Sequence, residues 1–322
     1  MIRYALRRLL AMIPVLLVVS ALSFGIVQLT PGGFLTQYLD NPRVSPQTLH
    51  ILEVQYGLTQ PLWVQYLDWL GGILRGNFGY SFIYQVPVAH LVGQQLFWTF
   101  FVTVLAALFT WLIAIPLGVY TALHPNSLFD YLANFFAYFV QAVPDFLIAL
   151  VLIYLLLLAG SSDVGGILSP QYIGAPLSWG LLVNLLAHLW PAILAIGLPG
   201  IGGLVRVMRA NLLDVLSQPY VQTARAKGLP SRRVIWKHAV RNAINPFVSI
   251  AGLTLPYLFS GSLIVSIVLN LPTLGPFLYQ AILNKDLYVV MDMLLFYTLL
   301  LQIGNLGADL ILAWLDPRIT YA

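Results

Sequence analysis

The chain has 322 residues, of which 60% are Ala, Val, Ile, Leu, Met, Phe, Trp, Tyr or Cys and only 8% are Asp, Glu, Lys or Arg, with a mean hydropathy of +0.87. Soluble chains carry about 25% charged residues, so this composition excludes a water-soluble globular protein and places the chain in a bilayer. Cysteine is absent, which excludes disulfides, thiolate metal sites and a cysteine nucleophile, and Glu53 is the single glutamate, which leaves little for an enzyme built on clustered carboxylates.

A helix crosses about 30 Å of hydrocarbon with roughly 20 apolar residues. Six segments qualify: residues 9–29, 97–123, 131–159, 181–205, 246–271 and 287–315. The reading is an all-α integral membrane protein with six transmembrane helices in one transmembrane domain over 1–322. The basic stretch before the first span resembles the start of a signal peptide. Its apolar run is too long for that, and it reads as a retained span.

Residues 30–96 form an external loop. Ser45 and Pro46 predict the start of one short helix, and Thr59 through Pro61 the start of another. In the second, Leu62, Trp63, Tyr66, Leu67 and Leu70 share a face suited to a membrane surface or neighbouring subunit, or to packing over the span ends. In the third span Asn134, Gln141 and Asp145 fall on a polar stripe, with Pro144 expected to open the helix. Such groups are costly against lipid, so they line a substrate path or are held by a partner helix. In the sixth span Asp292 and Asp309 lie 17 residues, about 25 Å, apart, which reads as one acid near each face rather than a proton relay.

Between the fourth and fifth spans, residues 206–245 carry eight bases against the one acid Asp214. With Arg3, Arg7, Arg8 and Arg318, twelve of the fifteen basic residues fall on one side, so this loop and both termini are expected in the cytoplasm. Pro219 predicts a helix capped by Ser217 or Gln218 and running to Lys227. Gly228 reads as its left-handed terminator, and Ser231 as the cap of a second helix to about Asn242. A basic loop can simply set topology and touch anionic lipid, but small residues beside such a turn, Ala224 and Ala226, also permit another protein to approach closely.

Several chemistries find no motif. There is no G-x-x-x-x-G-K-[ST] phosphate loop and no H-E-x-x-H, and the five histidines stand singly. Gly197, Gly200, Gly202 and Gly203 lie inside a span, where small residues favour tight helix packing, and Pro199 beside them favours a kink. Ser260-Gly261, with His188 as a distant base, lacks the full serine-nucleophile context and reads as packing too.

The run Gln222-Thr-Ala-Arg-Ala-Lys-Gly228-Leu, continuing to His238-Ala-Val-Arg-Asn-Ala-Ile-Asn-Pro246, resembles the EAA loop of ABC-importer permeases in their dipeptide, oligopeptide and nickel branch. The opening ten residues, Leu29-Thr-Pro-Gly, Tyr56-Gly-Leu with Gln65-Tyr66, Asn270-Leu-Pro-Thr-Leu-Gly275 and Asp316-Pro-Arg-Ile are similar to the first of the two permeases in such systems. Two positions depart from the pattern: Gln222 replaces a glutamate, and Gly33 replaces an aspartate after Pro-Gly. The resemblance implies a type I importer permease in a bacterial or archaeal plasma membrane. It further implies a second homologous permease, two ATPase domains or subunits that hold ATP and Mg, an external substrate-binding protein, contact with membrane lipids, and no nucleic acid. Gln222, Thr223, Ala224, Arg225, Ala226, Lys227 and Gly228 would then be the coupling contact with the ATPase, and the chain itself would hold no cofactor or metal and catalyse nothing. Peptides, nickel chelates and oligosaccharides all remain open as substrates. The rival reading is a self-sufficient secondary transporter or channel, which should show paired intramembrane charges or an inverted repeat.

Overall fold

The computed structural model describes residues 2–29, 35, 44–55, 57–81, 83–161, 164–260 and 262–315. The Thr30-Pro-Gly turn with Gly33, Tyr56, Gly261 and the closing Asp316-Pro-Arg-Ile lie outside them. Among the described residues the only extended pairing is one antiparallel bridge between Tyr80 and Pro87, and everything else of regular structure is helical. In chain order the helices are α1 (Ile2–Leu29), α2 (Pro46–Gln55), α3 (Leu62–Leu74), α4 (Val88–Leu123), α5 (Leu128–Ala142), α6 (Asp145–Leu158), α7 (Trp179–Leu216) and α8 (Pro219–Ala226). After a helical run over 231–243 come α9 (Asn245–Ser260), α10 (Leu263–Val268), α11 (Leu274–Leu283) and α12 (Leu287–Leu315).

Among the described residues four helices are long and apolar enough to cross a membrane: α1, α4, α7 and α12. The expected third span is broken. α5 and α6 meet at a 96° bend. Pro144 is the cause: it lacks an N–H and drives Val143 to extended angles (φ −84°, ψ 125°), and the Pro144 carbonyl then accepts the first free amides of α6, from Leu147 and Ile148. Pro14, Pro116, Pro191 and Pro199 differ, since the helices run on through them. The expected fifth span is also divided, into the 16 residues of α9 and the six of α10, with the Ser262 hydroxyl accepting from the Val265 amide at the start of the latter.

α4 packs along α7, α9 along α12, α1 along α12 and α5 along α7. At two close crossings a side chain is excluded. A β-carbon on Gly197 would meet the Ala106 carbonyl of α4 at 3.0 Å, and one on Gly202 would run into the Ala137 carbonyl of α5. The outward faces are apolar, as lipid requires: Leu10, Val18 and Leu22 on α1, Leu108 and Leu112 on α4, Phe135 and Phe136 on α5 are all exposed.

α3 lies against α1 and α12 through only part of the expected apolar face. Trp69 is buried, with Tyr66, Leu70 and Ile73 beside it, while Leu62, Trp63 and Leu67 are exposed. The reason is polar. Asp292 of α12 is buried, and the Trp69 indole N–H donates to its Oδ1 at 2.8 Å, which fixes the rotation of α3. At the other end of α12, Asp309 accepts from Arg8 Nη2 at 2.8 Å and from the Tyr4 hydroxyl at 2.6 Å. The two acids thus sit at opposite ends of the helix, each tied to a neighbouring element.

Candidate functional site

The basic segment between the fourth and fifth spans is more ordered than a loop. Residues 206–216 continue α7, which reaches 38 residues, about 57 Å. Pro219 occupies the first turn of α8, where its missing N–H costs nothing. Neither expected side chain caps this helix: Gln218 holds the cap position without a side-chain bond, and Ser217 Oγ donates back to the Asp214 carbonyl at 2.7 Å. Gln222 Nε2 instead donates to the Leu216 carbonyl at 3.2 Å, joining the start of α8 to the end of α7.

α8 ends as its sequence requires. Gly228 has φ +71°, its amide donates to the Arg225 carbonyl at 2.9 Å, and the Leu229 amide reaches the Ala224 carbonyl at 3.4 Å. That paired pattern is a Schellman motif, and Leu229 makes the apolar contact that accompanies it. Val221 and Ala224 are 0% and 7% exposed, packed with Val234 against Val215, Leu216 and Leu229. Ala224 therefore faces inward. Gln222, Thr223, Arg225, Ala226, Lys227 and Gly228 are the exposed members of the expected contact, and Ala224 is part of the socket that holds them.

The returning segment starts at Ser231, with Pro230 in the cap position and no side-chain cap, so Ser231 is a first helical residue rather than a cap. Residues Val234–Val240 are wound as a π-helix, between short α-helical pieces Ser231–Arg233 and Arg241–Ala243. The wider winding changes the rotation per residue, and Val234 packs on α8 while Ala239, Val240 and Ala243 pack on Met208 and Leu212 of α7. Asn242 Nδ2 donates to the Tyr220 hydroxyl at 2.8 Å, closing the unit. Trp236 is left exposed.

The three polar residues of the bent span separate into two places. Asn134 Nδ2 donates to Asp130 Oδ1 at 2.8 Å, and Gln141 Oε1 accepts from Arg206 Nη2 at 2.7 Å, so both belong to a belt between α5 and α7. Asp145 lies beyond the bend, where its Oδ2 accepts from the Ser262 hydroxyl at 2.7 Å. The centre of the belt is a pair that sequence reasoning missed: Arg209 Nε and Nη2 donate to the two oxygens of buried Asp130, at 2.9 and 2.8 Å. The Asn126 amide also donates to Asp130 at 3.0 Å, and the Arg206 guanidinium lies 4.7 Å over the Tyr138 ring. A signal was present, because Ser127 and Asp130 have the cap-to-N3 spacing of a helix start, and Ser127 Oγ accepts from the Asp130 amide at 3.1 Å.

Between α4, α7 and α9 lies a cavity of about 360 Å³, reached by Thr103, Thr110, Thr254, Tyr257 and Ser262. Among the described residues no three His, Asp or Glu side chains gather at metal-ligand spacing.

The chain matches known proteins over its whole length. Residues 114–321 match the family described as binding-protein-dependent transport system inner membrane component, and residues 1–103 match the N-terminal region of such membrane components. It is 35% identical to the oligopeptide transport system permease protein AppB of Bacillus subtilis, with all of both chains covered. It is 30% identical to the dipeptide transport system permease protein DppB of Alkalihalophilus pseudofirmus and 31% identical to the glutathione transport system permease protein GsiC of Salmonella typhimurium, again with full coverage of both chains.

Proposed function

The chain belongs to the family of binding-protein-dependent transport system inner membrane components, and we propose that it is one permease subunit of an ATP-driven importer of peptides. The names of its full-length relatives, which are oligopeptide, dipeptide and glutathione permeases, support that substrate class over nickel chelates or oligosaccharides. In this reading the chain pairs with a second, homologous permease and receives peptide from an external binding protein. It takes its energy from two ATPase subunits that hold ATP and Mg, and has no hydrolytic activity of its own.

The observation that carries the coupling part of this reading is the socket under α8. A short helix with a polar, cationic outer face is seated on the end of a 38-residue helix through Val221 and Ala224, so a push on α8 is passed to α7 rather than absorbed. The exposed residues Gln222, Thr223, Arg225, Ala226, Lys227 and Gly228 are the proposed ATPase contact. In this reading both termini and this loop lie in the cytoplasm, as the distribution of Lys and Arg suggests, and the chain crosses six times, where the described helices give four spans, or five with α5 and α6 counted as one.

Two measurements test the reading. Purification of the chain should bring down ATPase subunits, and hydrolysis by that assembly in bilayers should rise with peptide-loaded binding protein. Phosphate release by the homogeneous chain alone would refute it. Single cysteines at positions 50 and 225 of this Cys-free chain should react with an impermeant thiol reagent from outside intact cells at 50 only.

A further inference from the structure

Asp145 is a carboxylate halfway along a bent span, and among the described residues no Lys, Arg or His lies within ion-pair distance of it. Its Oδ1 accepts from the neighbouring Phe146 amide at 2.8 Å and its Oδ2 from Ser262 Oγ at 2.7 Å. Two hydrogen bonds leave about half of a carboxylate's acceptor capacity unused. An intramembrane charge held in this way, without a countercharge, marks a site of function rather than of stability.

Ser262 is shared with the cavity between α4, α7 and α9, whose roughly 360 Å³ is within the size range of small-molecule sites, about 300–1,000 Å³. Four of the hydroxyls that line it have a common polarity. Thr103 donates to the Leu258 carbonyl at 2.6 Å, Thr110 to the Gly197 carbonyl at 2.8 Å, Thr254 to the Ala251 carbonyl at 2.9 Å and Ser262 to Asp145. Each of these four hydroxyl protons is already committed, so what the oxygens offer to an occupant is lone pairs. Tyr257 and Trp111 also border it, and the rest of the wall is carbon. A cavity rich in acceptor oxygens, whose edge residue Ser262 is bonded to a carboxylate without an ion-pair partner, suits a solute that brings a cation and N–H donors better than one that leads with an anion.

We propose that Asp145 and Ser262, at the edge of this cavity, form a transit subsite for the free α-ammonium group of a peptide, with the threonine oxygens receiving the amide N–H groups that follow it. This rests on the peptide-import reading above. The peptide's carboxylate would find no partner here and would be left to the other permease or to solvent. The Asp145 contact is a charge-assisted hydrogen bond whose loss is expected to cost about tenfold in occupancy.

The test uses the assembled importer, with both permeases and its ATPases, in lipid nanodiscs without binding protein, so that the binding protein's own selectivity does not enter. The probes are a tripeptide, Ala-Ala-benzoylphenylalanine, and its N-acetylated form, photolysed at millimolar concentration and mapped by mass spectrometry. The free-amine probe should label the segment containing Thr254 and Tyr257 about tenfold more than the acetylated one. Asp145→Asn should bring the two probes level by lowering only the free-amine signal, Asp145→Glu should keep the preference, and Ser262→Ala should weaken it. Equal labelling by both probes in the unmodified chain, labelling elsewhere only, or an undiminished preference in Asp145→Asn would overturn the subsite. If Asp145→Asn does not assemble, the unmodified ratio and Ser262→Ala decide. Uptake by the intact system with loaded binding protein separates the two levels: import of peptides with no amine dependence in the cavity rejects the subsite alone, whereas import of no peptide rejects the peptide reading and the subsite with it.

Discussion

At Gly228 a β-carbon would meet nothing within 4 Å, yet the residue has φ +71°, so any cost of substitution there is a backbone cost and not a steric one. This sets an order. Asn tolerates the left-handed region best, Ala is strained by about 1 kcal/mol, and a β-branched residue by more, roughly 1–2 kcal/mol. Gly228→Asn, Gly228→Ala and Gly228→Val should therefore lose binding-protein-stimulated ATPase activity progressively, at equal membrane insertion. Equal activity in all three would mean that the turn does not aim α8. Ala224 behaves differently. It is closed in by Val221, Val234 and Leu229, so Ala224→Trp should overpack the socket by about 1–3 kcal/mol and expose the segment to proteolysis, rather than block an external partner by bulk alone. Normal protease resistance with lost ATPase association would return Ala224 to the outer contact. Gly228 was legible in the sequence because a helix stop needs only a glycine and a following Leu-Pro. The direction of Ala224 was not, since eight residues with two small apolar positions do not define a face until Leu216 and Val234 supply something to pack on.

Among the elements, the link between α5 and α7 depends on Arg209 and Asp130, a bidentate pair with the acid buried and the base about a quarter exposed. Removing one partner leaves a charge with unmade bonds, which costs about 3–5 kcal/mol when the site is fully buried and less with one side open to solvent. Arg209→Ala should accordingly lower the thermal stability of the purified assembly. Arg209→Lys should recover only part of the loss, because an ammonium cannot fill both oxygens in the fork geometry. Full recovery with lysine would show that only charge matters at this crossing. The break at Pro144 could be read from the proline, but the pairing could not: Arg209 looked like one of many topology-setting bases, and nothing in the sequence says that α7 continues far enough for it to meet the start of α5. Which part of the apolar surface of α3 turns inward was not legible for a related reason. Its apolar periodicity is broad, and the choice among rotations is made by a single buried acid on a helix more than 200 residues away.

Over the whole molecule, α7 joins what the other elements separate. One end holds α8 through Val215 and Leu216, the next turns carry Arg209 and Arg206 against α5, Gly202 and Gly197 admit α5 and α4 at close range, and Gly200 borders the cavity that reaches Ser262. An α-helix is stiff over such a length, so displacement at one end reaches the other only while the joint at Ser217-Gln218 stays tight. That joint is held by the Gln218 amide on the Val215 carbonyl at 3.1 Å and by Gln222 on the Leu216 carbonyl. Inserting Gly-Gly between Ser217 and Gln218 leaves every span and the exposed face of α8 unchanged, while allowing the two helices to rotate independently. The expected result is a complex that forms, retains basal ATP hydrolysis and docks loaded binding protein, but shows neither stimulated hydrolysis nor uptake. A control insertion between Gly76 and Asn77, after α3, should leave stimulation near its original level, because those residues lie outside the α7 path. If the inner insertion transports at the original rate, motion does not pass from α8 into α7, and coupling must instead run through the returning 231–243 segment and α9.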